Sequence, residues 1–132
     1  MTDSRMEMTA AAEAIPATAE RIASLGATAG LDRGACFQLQ VAVTEALNNI
    51  VQHALADAPA SPVEIRCRVA NGFFEVTTFD RGLPMPALPD REFPPAAAES
   101  SRGWPIIFSW VDDIEYHARA DGNTLTLRKN LP

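Results

Sequence analysis

Between Leu39 and Ala54 apolar residues recur with the period of an α-helix, and from Pro62 onward the period falls to two. A chain that changes period in this way lays helices against a sheet, which makes the expected class α+β. On a helical wheel Ala46, Leu39, Ile50, Val43, Ala54, Cys36 and Leu47 gather within about 100° of arc, a stripe that faces a core. Glu45, Asn49 and His53 follow one another at four-residue intervals along the border of that stripe. Read plainly, they are boundary residues: an exposed Glu, a neutral Asn and a half-buried His. Asn49 argues for more, because a mid-helix Asn is a mediocre helix former whose side chain competes for backbone bonds. Something else should use its amide, and a polar row beside an apolar face suits the rim of a cavity.

Taken in order, Met1 to Ala14 is weakly patterned and could hold a short edge strand. Pro16 suits the first turn of a helix and Gly30 its stop, giving a helix at about 17 to 29. Asp32 is placed to cap a long helix running from about 33 to 57, ahead of Pro59. In the alternating run after Pro62, Val63, Ile65, Cys67 and Val69 point one way and Glu64, Arg66 and Arg68 the other, so this is a strand with one wet face. Asn71-Gly72 is a type I′ hairpin signal, and Phe73 to Phe79 is the returning strand, ending at Asp80. Residues 81 to 103 hold Pro84, Pro86, Pro89, Pro94 and Pro95, a connection long enough to act as a lid over about 83–102. A short helix is expected over Trp104 to Val111 with Pro105 at its first position. A second hairpin, Ile114 to Arg119 and Asn123 to Lys129, should turn at Asp121-Gly122 by the same chemistry. The whole reads as a two-layer sandwich, its sheet mixed or mostly antiparallel, with helices on one face.

The 132 residues and 47% hydrophobic content suffice for one domain with one core, spanning 1–132. With 17 Asp plus Glu against 11 Lys plus Arg, the net charge of −6 has the wrong sign for a general nucleic-acid binder. No run reaches the roughly 18 apolar residues that a membrane helix needs, and no basic-then-apolar leader opens the chain, so a cytoplasmic protein with no membrane contact is expected. Cys36 and Cys67 fall on apolar faces and are read as reduced thiols. His53 and His117 lack ligand-spaced neighbours, which argues against zinc.

Two further stretches carry chemistry. Asp80-Arg81-Gly82-Leu83-Pro84 ends a strand; an aspartate there can accept from an exocyclic amine, and glycine lets the backbone approach a flat ring, although the same triplet is also a common turn. Ser101-Arg102-Gly103-Trp104-Pro105 opens a helix whose first amides are free for phosphate oxygens, with Arg102 adding positive charge.

The run Glu45-Ala-Leu-Asn-Asn49-Ile-Val-Gln-His53-Ala54 resembles the N box of the Bergerat-type, histidine-kinase-like ATP-binding domains, and its flanks are most similar to the stand-alone anti-sigma-factor serine/threonine kinases. The strand-end aspartate resembles that family's first glycine box, and Ser101 to Ile107 its second. Where the family has two or more glycines in the second, this chain has Gly103 alone, with Ser101 in place of another. The resemblance implies that Asn49 holds Mg²⁺ on ATP and that Glu45 orients or deprotonates the attacking hydroxyl. It also implies that Asp80 and Gly82 seat adenine and that Gly103 with Arg102 faces the phosphates. His53, Pro84, Trp104 and Thr124 complete the implied nucleotide-binding set.

The function implied is an ATP-dependent kinase that sequesters a sigma factor and phosphorylates a serine of a small antagonist protein, with a homodimer built on the N-terminal strand as a further expectation. The alternative is a switch module that binds nucleotide weakly or not at all and acts by protein contact, motivated by the thin glycine content around Gly103. A detached sensor-kinase fragment is disfavoured, since no phosphoacceptor-histidine helix precedes the ATP-binding region.

Overall fold

The computed structural model describes residues 3–58, 60–85 and 103–132. Strand β1 (Asp3–Thr9) leads through a 3₁₀ turn (Ala12–Ala14) into α1 (Ile15–Ala29) and then α2 (Arg33–Asn49), which continues as a π-helical turn over Ile50–Ala54. The hairpin β2 (Pro62–Ala70) and β3 (Phe73–Asp80) follows, and α3 (Gly103–Trp110), β4 (Asp113–Arg119) and β5 (Gly122–Asn130) complete the order. All five strands form one sheet, ordered β1-β2-β3-β5-β4, and every pairing is antiparallel. The last strand is therefore interior, inserted between β3 and β4.

Among the described residues helices cover one face of the sheet, with α2 lying between α1 and α3. On that side Leu39, Val43 and Leu47 of α2 meet Val63, Ile65 and Cys67 of β2, Val76 of β3 and Leu125 and Leu127 of β5 in one buried cluster. Each fully buried aliphatic side chain there contributes about 1.5–3 kcal/mol, so this seam fixes how the helix layer lies on the sheet. Burial among apolar neighbours pushes the Cys67 thiol up to about 12, which makes it an inert core group. Cys36 is also free, but it is only partly buried. Among the described residues, no helix is long and apolar enough to cross a membrane.

Local chemistry explains most element ends. Asp32 accepts from the Ala35 amide at 2.8 Å and caps α2, and Gly30 stops α1 at φ 117°. The β2–β3 turn has φ 55° at Asn71 and 81° at Gly72, as type I′ geometry demands. The second hairpin corrects the expectation. Arg119 pairs with Gly122, so the loop is Ala120-Asp121, one residue earlier, and neither has positive φ. Gly122 is required for another reason: at φ 153° a Cβ would stand 2.4 Å from the Phe79 ring. Helix α3 begins at Gly103, which moves Pro105 to the third position, still within the turn whose amides lack helical acceptors. The long helix also departs from expectation, because α geometry ends at Asn49 and the next turn closes through Leu55 N–H to Ile50 O at 2.9 Å.

The uncovered sheet face is charged. Glu75, only 3% exposed, accepts from Arg68 at 2.7 Å and from Arg128 at 2.6 Å, and Arg128 also reaches Asp113 and Glu115. Burial raises the Glu75 carboxyl, but the two guanidinium bonds outweigh it and hold the group below its usual value. A carboxylate depressed in the fold contributes stability above its unfolded value and loses it as pH falls through the folded one. Glu75→Gln should therefore cost about 1–2 kcal/mol at neutral pH and less than that in acid. Urea melts of both proteins from pH 7 to pH 3 check this; parallel pH profiles would contradict it.

Candidate functional site

On α2, Glu45 and Asn49 stay one turn apart and half-buried at the edge of the apolar stripe. A Cβ built on Gly103 would lie 2.7 Å from Glu45 Oε2 and 3.3 Å from Glu45 Cβ, so the carboxylate packs on bare backbone at the first residue of α3. Negative charge is favourable at such an end, where amides point outward. Asn49 Nδ2 is buried with no hydrogen-bond partner among the described residues. An unpaired buried amide costs stability, so its presence on this row marks a group held for something else.

His53 does not continue the row. It lies in the π turn and is exposed, where Glu45 and Asn49 are half-buried. The same turn does something useful. Ala54 O accepts from the Leu83 amide at 2.9 Å, and a Cβ on Gly82 would stand 2.1 Å from that oxygen. Only glycine lets the loop after β3 approach the helix this closely.

That loop starts at Asp80, which is 4% exposed on the helix side of β3. Its Oδ1 accepts from the Gly82 amide at 2.9 Å and from Asn123 Nδ2 at 3.0 Å, and Asn123 Nδ2 also reaches Gly82 O at 3.0 Å. One carboxylate oxygen is thus used to hold the turn. Asp80 Oδ2 has no such commitment among the described residues. A little further on, the Met85 amide donates to Tyr116 Oη at 2.8 Å, which ties the start of the long connection to β4.

The helix from Glu45 to Ala54 is accordingly bracketed, with Gly103 against its Glu45 end, Gly82 against its Ala54 end and Asn49 between them. From Glu45 to Ala54 there are ten residues, a span of about 13 Å at α-helical rise. The structure brings together Glu45 with Gly103, and Asp80 with Gly82. Pro84 is exposed just past the turn. Arg102 and most of the expected lid, residues 86–102, lie outside the described residues. Trp104 is buried and packs its ring on Phe108 at 5.9 Å, so its side chain belongs to the core and only its backbone can face a ligand.

Thr124 needs correction. Strand alternation sends it to the uncovered face, while its neighbour Asn123, 2% exposed, points to Asp80. The signal was available, since Leu125 and Leu127 mark the inward parity of β5, and Asn123 shares it.

A family model described as a histidine kinase-like ATPase domain matches residues 8–129. Among solved structures the chain is similar to the histidine kinase domain of the blue-light activated histidine kinase from Erythrobacter litoralis EL346, at 23% identity and a TM-score of 0.53. The match covers 74% of this chain and 45% of that one, so this chain spans less than half of that protein's length. At this identity the likeness concerns the fold. No curated protein matches the sequence.

Proposed function

The chain belongs to the histidine kinase-like ATPase domain family, and from that premise we propose that it binds Mg·ATP along α2 and phosphorylates a serine or threonine hydroxyl of a protein. Asn49 carries the reading. Its Nδ2 is buried with no hydrogen-bond partner among the described residues, one helical turn from the Glu45 carboxylate; an amide held this way is free to place its carbonyl oxygen on the cation of a magnesium-bound polyphosphate, which takes oxygen ligands. Glycines at both ends let the loop after β3 and the start of α3 close onto the helix, since a Cβ would meet Ala54 O at position 82 and Glu45 Oε2 at position 103.

The residues then divide the work. Asp80 accepts the exocyclic amine of the base through Oδ2, while Asn123 and the Gly82 amide keep its other oxygen fixed. Asn49 offers its amide oxygen to the cation. Free amides at the start of α3 serve the phosphate oxygens, and Arg102, the residue before Gly103 in the sequence, is the proposed source of positive charge. Glu45 stands beside Gly103, positioned to orient an incoming hydroxyl and take its proton. Bound Mg·ATP supplies the phosphoryl group and the charge neutralisation that such transfers need.

As to partners, the acceptor we propose is a small antagonist protein, and the chain itself sequesters a sigma factor, nucleotide state deciding which is held; a homodimer through the open edge of β1 is part of the same proposal. The N-box flanks support this assignment. A second reading, a switch that binds nucleotide without turning it over, is favoured by the single glycine around 103.

Calorimetric titration with ATP, with and without Mg²⁺, tests the core of the reading. Wild type should bind more tightly with the metal, and Asn49→Ala should abolish that difference and weaken Mg·ATP binding about tenfold or more. The variant should melt no lower than wild type, because it removes an unpaired polar atom. Absence of metal-dependent binding in wild type would refute the reading.

A further inference from the structure

Two side-chain polar atoms among the described residues are buried without a hydrogen-bond partner: Asn49 Nδ2 and Thr78 Oγ1. The first belongs to the site already described. The second lies in β3, two residues before Asp80, and period-two alternation puts it on the same, helix-covered face. Thr78 is 4% exposed, and its cross-strand neighbours are Ile65 and Leu125, both core residues. Its hydroxyl thus sits in a hydrocarbon setting where valine would match its shape and avoid the cost of burying an unpaired polar group.

Other threonines in the chain show how such hydroxyls are normally satisfied. Thr18, Thr28 and Thr44 each donate to the carbonyl four residues earlier, and Thr77 and Thr126 pair with each other at 3.1 Å across β3 and β5. Thr78 does neither. Its only distinguished neighbour along the strand face is Asp80, the carboxylate with one oxygen in reserve.

We infer that Thr78 is a further ligand-binding residue, whose hydroxyl hydrogen-bonds the purine ring beside Asp80. The inference rests on the nucleotide site proposed above and extends it to how the base is chosen. Asp80 Oδ2 accepts only, so it selects a ring bearing an amine. The Thr78 hydroxyl can donate, and it complements a ring nitrogen next to that amine. Adenine presents this pairing at its 6-position, an amine donor beside a ring-nitrogen acceptor, whereas guanine has a carbonyl there and pairs an amine with a ring acceptor only on the edge nearer the sugar. The pair therefore reads the adenine edge by a donor and an acceptor together, a use for the Thr78 hydroxyl that its apolar neighbours do not supply.

The test compares wild type, Thr78→Val and Thr78→Ser by ATP titration and by thermal melting without nucleotide. Valine should raise the Kd for ATP about three- to tenfold, the worth of one ordinary hydrogen bond, and melt at or above the wild-type temperature. Serine should bind ATP within about twofold of wild type. A valine variant that binds ATP as tightly as wild type overturns the inference and leaves the nucleotide site standing. A valine variant that melts lower also overturns it, because the hydroxyl would then serve the fold. Failure of wild type to bind ATP at all removes both the inference and the reading beneath it.

Discussion

Replacing Glu45 with glutamine should reduce phosphoryl transfer by a factor of about 10² or more while leaving the affinity for Mg·ATP within a few-fold. The two outcomes separate because Glu45 lies against the backbone of Gly103, where the proposed acceptor hydroxyl would meet the phosphate tail, and about nine residues along the helix from the contact of Ala54 with Gly82. Glutamine keeps the shape and the packing on Gly103 but cannot take a proton. Single-turnover label transfer to the acceptor, together with an ATP titration of the same variant, reads both numbers. Equal transfer rates in variant and wild type would remove Glu45 from the chemistry, whereas a collapse of ATP affinity would recast it as a residue that only shapes the site.

Gly82→Ala should damage the fold as well as the site, with a loss of about 3 kcal/mol and a drop in melting temperature of roughly 10 °C. The new Cβ would stand 2.1 Å from Ala54 O and 2.5 Å from Ala54 C, and both atoms are backbone that cannot rotate away. Either the loop after β3 withdraws, breaking the Leu83 amide bond to Ala54 O and the Asp80–Gly82–Asn123 cluster, or the π turn shifts. In both cases Asp80 loses its fixed orientation, so base recognition falls with stability. Gly103→Ala should be milder in the fold, because the neighbour met there is the mobile carboxylate end of Glu45. Paired melts of the two variants measure the contrast, and the expectation fails if alanine is equally harmless at 82 and 103.

Much of this was legible because local rules and long-range packing agree. The apolar stripe of α2, the Asn71-Gly72 turn and the alternation of β2 each have one structural solution, and the three together fix a helix layer on an antiparallel sheet. Sequence reasoning went astray where a short-range pattern hid a tertiary demand. His53 keeps the four-residue spacing of Glu45 and Asn49, yet it falls in the π turn that lets Ala54 O meet the β3 loop, and it is exposed where the other two are half-buried. Asp121-Gly122 looked like a turn by composition, but Gly122 is glycine because Phe79 presses on it. Trp104 adjoins Gly103 in the chain and still faces the other way, since a helix turns about 100° per residue. Thr78 carried no signal at all, because a threonine in a strand is unremarkable until its neighbours show that its hydroxyl has nothing to bond.

The interior place of β5 bears on how such a chain can be made. Until residues 122–130 have left the ribosome, β3 presents a bare ladder edge, Asp80 lacks Asn123, and the apolar underside of α2 has no Leu125 or Leu127 to rest on. Helices and the first hairpin can form as they emerge, but the pairing that completes the sheet joins segments more than forty positions apart, at the register Thr78 to Leu125 and Asp80 to Asn123. Nascent protein therefore passes through a stage with an adhesive strand border and no working nucleotide site, and the moment that hides the border is the moment that finishes the site.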